Sequence, residues 1–210
     1  MSYTMTYSSL LEDVRRYLER GFTAESDSIV YEQLPRLVTL AERKIARGLK
    51  IQGFIRAVST PLQIGVAVYR KPDRWRDTVS MKVGESPMFG RSYEYCRSYW
   101  PDEAATGTPE FYANYDYNHW LIVPTPVAAS TLEIIYYEQP ALLGDDQQTN
   151  WLTEYAPDTL LYGTLLEATP FLKIDTRIPV WQGMYDASTA ALTGEDIKRM
   201  MDRAANRSED

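Results

Sequence analysis

Few side chains in this sequence could do chemistry. There is one histidine and one cysteine, so a nucleophile and base pair would have to be built around His119 or Cys96. No G-x-S-x-G elbow is present, and nothing beside His119 fixes a nucleophile, so it reads as a strand or turn residue. Cys96 falls on the inward face of its helix and reads as a small hydrophobe. One Cys and one His are too few soft ligands for zinc. The glycines at 48 and 53, and at 84 and 90, lack the lysine and spacing of a phosphate loop. Carboxylates are plentiful. Asp116 with Glu110, or Glu133 with Glu138, are pairs that could flank a sugar bond, yet a solvated strand face would carry the same residues. No catalytic residue, cofactor or metal is expected.

The 210 residues hold 22 Lys and Arg against 29 Asp and Glu, a formal charge of −7. That balance argues against wrapping nucleic acid, which needs Lys and Arg to neutralise phosphates. A lone cysteine excludes an internal disulfide scaffold and fits a reducing compartment. The segment MSYTMTYSSLLEDVRR has no apolar core behind basic residues, so no signal peptide is expected. No apolar run approaches the ~18 residues of a membrane span.

Tyrosine is the unusual count, 16 beside 5 Trp and 5 Phe. Ten of these rings lie between Phe89 and Trp120. Tyr and Trp cover apolar area while keeping a polar tip, and they concentrate at interfaces. The cluster is either a β core filled with rings or an assembly surface. Candidate contacts with neighbouring subunits or the partners named below are Tyr93, Tyr112, Tyr115 and Trp120.

The elements that must position these residues are legible from spacing. Ser9-Leu10-Leu11-Glu12 has the form of a capping box, and Leu10, Leu11, Val14, Tyr17 and Leu18 recur at helical spacing, so a helix is expected over about 9–20, stopped by Gly21. A second helix starts at Asp27 or Ser28 and ends at Gly48, with Pro35 marking a kink or a fresh start. From about 52 the period becomes that of strands: 54–62, 66–70 and 78–83. Residues 84–90 read as a loop and 91–100 as a short helix. A hairpin is expected at 109–115 and 119–124, then a strand at 131–138. Short connections imply antiparallel pairing. After Pro140 helices return, capped by Asn150 and opened by Pro157. The next runs from Asp175 or Thr176 to Gly194, and a short amphipathic helix follows. The expected fold is α+β, mainly a helical bundle (1–51 and 141–210) with an inserted antiparallel β domain at 52–140.

Several ordered segments together carry a resemblance. They are YSSLLEDVRRYLERG, EQLPRLVTLAERKIARGLKIQGF, KPDRWRDTVS, RSYEYCRSYWPD, GTPEFYANYDYNHWLIVPTP, YYEQP, QTNWLTEYAPDTLLYGTLLEATPFLK and RIPVWQGMYDAS. In this order the chain resembles the tailed-bacteriophage adaptor proteins, the head-to-tail connectors below the portal. The resemblance implies a non-enzymatic virion protein at the head–tail interface, assembled in the host bacterial cytoplasm as a ring of twelve copies. Such a ring would bind the portal protein on one side and the tail nozzle or other tail proteins on the other. Genomic DNA would pass through its lumen without specific binding. It further implies a C-terminal extension reaching along the portal, for which Ile197, Met200, Met201 and Arg203 are the candidate contacts; the same stretch could equally be a frayed terminal helix. An acidic lumen would repel phosphates during ejection. The alternative function is a carbohydrate-binding or glycan-degrading tail component, since aromatic rings stack on sugars.

Overall fold

The computed structural model describes residues 4–172 and 175–205, with side chains described as far as Lys198 in the last helix. The chain divides into two compact units. One comprises the chain up to Phe54 together with the part from Pro140 onward; the other is Ile55–Gln139.

The first unit is helical. Helix α1 (Tyr7–Leu18) buries Tyr7, Leu10, Val14 and Leu18. Its cap lies three residues before the expected one: Thr6 accepts from the Ser9 N–H, and the Ser9 hydroxyl oxygen accepts from the Thr6 N–H. Starting at Tyr7 places that ring on the same helical face as Leu10, Val14 and Leu18. Helix α2 (Ser28–Gly48) runs unbroken through Pro35. Its core stripe of Leu34, Val38, Ala41 and Ile45 is fully buried, and this packing outweighs the lost ladder hydrogen bond. Asn150 caps α4 (Trp151–Tyr155) by accepting from the Leu152 and Thr153 N–H groups. Pro157 opens α5 (Pro157–Glu167). Helix α5 packs against both α2 and α6 (Ile178–Ala205). Gly163 is the close point: a Cβ there would sit 3.3 Å from both Ile45 of α2 and Tyr185 of α6. Gly194 does not end the last helix, which spans 28 residues and runs on to Ala205, because an exposed helical glycine costs only about 1 kcal/mol.

The second unit corrects the expectation of a mainly helical bundle with an inserted antiparallel β domain. It is built on one curled, mixed sheet of seven strands, in the order β1-β9-β3-β4-β6-β7-β2. The strands are β1 (Ile55–Leu62), β2 (Val68–Arg70), β3 (Trp75–Val83), β4 (Ser86–Gly90), β6 (Phe111–Asn114), β7 (His119–Val123) and β9 (Ser130–Glu138); β5 (Thr106–Gly107) and β8 (Thr125–Pro126) form a separate two-stranded ladder. Two pairs are parallel, β4 with β6 and β5 with β8. Parallel neighbours need a long crossover, and residues 91–110, including helix α3 (Tyr93–Tyr99), supply it. The stretch 84–90, with its Gly and Pro, reads as a loop, yet it holds β4, because Met88 pairs with Met81 and enters the core. The β9 alternation is as expected: Leu132, Ile134 and Tyr136 are buried.

Candidate functional site

Helix α3 lies against β6 and gathers the aromatic cluster onto one surface. Ser92 caps α3 by accepting from the Tyr95 N–H at 3.1 Å. One helical turn then spaces Tyr95 and Tyr99 so that their rings meet at 5.0 Å. Tyr95 and Trp100 both contact Phe111 on β6, at 5.9 and 5.6 Å. Phe89 on β4 reaches the same ring, and Tyr93 meets Tyr115 edge-on at 6.0 Å. Most of these rings also face outward, with Tyr99 66% and Phe89 55% exposed. Two cations lie among them: the Arg91 guanidinium is over Tyr95 and Phe111, and that of Arg97 over Tyr93. Among the described residues neither arginine has a carboxylate within ion-pair distance. Tyr, Phe and Arg rich in exposed area are the side chains that dominate protein–protein contacts.

The four candidate contacts therefore separate. Tyr93 and Tyr115 are on this surface. Tyr112 is half-buried against the sheet core. Trp120 is fully buried, edge-on to Trp75 at 5.9 Å, so its indole packs the core. Sequence spacing could have warned of this, because Trp120 begins the apolar run Trp120-Leu121-Ile122-Val123, all four of which are buried. Of the second set, Ile197 is about half exposed; the side chains of Met200, Met201 and Arg203 lie outside the described residues.

Lys71, which the sequence did not single out, fixes the hairpin beside this surface. It is almost fully buried. Its ammonium donates to Asn114 Oδ1 at 2.9 Å and to the Asp116 carbonyl at 3.0 Å, and lies 3.9 Å from the centre of the Trp75 ring. Burial lowers its pKa, against the opposing pull of Asp116. Arg74, next to Trp75 in sequence, pairs with Glu138, which Arg56 also reaches.

The possible acid–base pairs are otherwise engaged. Both Asp116 carboxylate oxygens lie 2.9 Å from His119 Nδ1, and Asp116 also accepts from the Asn118 N–H; these bonds, the histidine's first, lower its pKa. Glu133 pairs with Lys82. Cys96 is fully buried, which raises the pKa of its thiol. Among the described residues no group of three or more His, Cys, Asp or Glu side chains could hold a metal, and no helix is long and apolar enough to cross a membrane.

A second residue missed by sequence is Glu42 in the helical unit, 2% exposed. Its carboxylate accepts from the Leu143 N–H at 3.1 Å and from the Asn150 amide at 2.6 Å. Burial outweighs those bonds and pushes its pKa up to about 7. Helical spacing assigns Glu42 to the polar side of the helix with Arg43, Lys44 and Arg47, yet it is buried, because its partners lie about a hundred residues away in a loop, which no local pattern reveals.

Comparison with known proteins identifies the family. A search of curated proteins finds no match. The family model described as SU10 adaptor protein matches residues 5–208. The chain belongs to the SU10 adaptor protein family and is a phage adaptor protein.

Proposed function

We propose that the protein forms a ring, of twelve copies, between the portal and the tail of the virion, with genomic DNA passing through its lumen. The observation that carries this reading is a family match over nearly the whole chain. A closed ring needs heterologous contacts between copies, and tail attachment needs a further surface. The exposed rings on α3, with Tyr93 and Tyr115, have the composition of such a surface. Helix α6, 28 residues and therefore about 42 Å long, has the reach for a portal contact through Ile197, Met200, Met201 and Arg203. A net charge of −7 keeps the duplex from adhering as it passes.

Substituting Tyr93, Tyr99 and Tyr115 by Ala together separates this role from recognition of glycans. The connector role predicts loss of tail attachment with no polysaccharide affinity in the parent protein. Saturable polysaccharide binding by the parent that the triple variant loses, with attachment intact, would favour the glycan reading.

A further inference from the structure

The helical unit carries two complementary surface features. The first is a ridge on α2. Its core stripe is Leu34, Val38, Ala41 and Ile45; at 100° per residue the opposite face holds Ile29, Arg36, Leu40 and Arg43. Ile29 is 65% and Leu40 48% exposed. Among the described residues neither Arg36 nor Arg43 has a carboxylate within 4 Å, whereas neighbouring Lys44 pairs with Glu167 at 2.8 Å.

The second feature is a recess of about 190 Å³ lined by Ile51, Trp151, Tyr155, Leu192, Glu195 and Asp196. The Trp151 and Tyr155 rings stack at 5.5 Å, and Tyr155 is 66% exposed. Asp196 is 5% exposed, and one of its oxygens is held by the Gln52 N–H at 2.8 Å. Aromatic faces beside a fixed carboxylate are what an arginine side chain binds, by cation–π attraction and charge-assisted hydrogen bonds. The volume is below the roughly 300–1,000 Å³ of a small-molecule site and suits one long side chain.

The occupant follows from the fact that one chain holds both halves. Helix α5 lies between α2 and α6, and the ridge faces away from α5, while α6 and α4 build the recess. Two different complementary patches on one chain make a head-to-tail contact, the kind that generates rings. We infer that the α2 ridge of one copy docks on a second copy, seating Arg36 in the recess formed by Trp151, Tyr155 and Asp196. This deepens the ring reading and rests on it.

The test uses the full-length protein with its portal, assembled and sized by native mass spectrometry. Disulfide trapping between an Arg36→Cys copy and a Tyr155→Cys copy is expected to give mixed dimers, and a chain carrying both cysteines a ladder, while either single variant alone gives neither. The only native cysteine is buried and does not compete. Charge reversal in R36E/R43E is expected to cut assembly at least about tenfold, and adding Tyr155→Lys to that variant to restore part of it. Rings that form without mixed crosslinks and tolerate R36E/R43E would overturn this contact while leaving the ring intact. Portal that recruits no multimer of the parent protein would instead overturn the ring reading, and the contact with it.

Discussion

Glu42→Gln isolates the energetics of the buried carboxylate. In the folded chain the group titrates near 7, against an ordinary value of 4.5. Because the folded value is the higher one, the folded state binds the extra proton between those limits. Stability is therefore complete below pH 4.5, declines as pH rises towards 7, and carries the full penalty above it. A gap of about 2.5 units at about 1.36 kcal/mol per unit is about 3 kcal/mol. Glutamine keeps an oxygen to accept from the Leu143 N–H and the Asn150 amide but cannot ionise. The variant should match the parent near pH 4 and exceed it by up to about 3 kcal/mol at pH 8. Urea unfolding across that range, followed by far-ultraviolet circular dichroism, reads the difference, and subtracting the two curves cancels every other titrating group. Glu42→Leu is the control. It leaves the Leu143 N–H and one Asn150 amide N–H without an acceptor and should lie about 1–3 kcal/mol below Glu42→Gln at every pH, since neither variant ionises. Parallel parent and E42Q curves, or an E42Q chain less stable at pH 8, would mean that burial does not raise the pKa of Glu42.

Three further outcomes are expected. Lys71→Met should destabilise the sheet unit by about 1–3 kcal/mol by orphaning Asn114 and the Asp116 carbonyl, and hydrogen exchange should accelerate first in residues 114–119. Gly53→Ala should disrupt the helical unit, since a Cβ there collides with the Trp151 indole; an unchanged urea midpoint would contradict this. Trp120→Ala should cost about 3–5 kcal/mol as a core truncation, whereas Tyr99→Ala on the exposed face should stay within about 0.5 kcal/mol, both measured by denaturation.

The sequence revealed the elements better than their pairing. Period and caps place α2, the β9 alternation and the Asn150 and Pro157 starts, since those signals are local. The long last helix was missed because Gly194 breaks a pattern but not an exposed helix. Parallel pairing of β4 with β6 was missed because 91–110 reads as a helix and loop, with nothing local to say that it is a crossover. The aromatic cluster was visible as composition, yet which rings face out depends on the sheet. Tyr93 and Tyr115 are at the surface, and Trp120 is in the core. Glu42 and Lys71 look like ordinary surface charges until distant residues close over them.

Imaging of portal mixed with the purified protein is the direct test of ring formation. A ring adaptor should appear as one added ring on a single face of the portal, with a mass corresponding to twelve copies and an open lumen wide enough for duplex DNA. Portal particles that stay unchanged beside free monomer, at concentrations well above those of assembly, would contradict it.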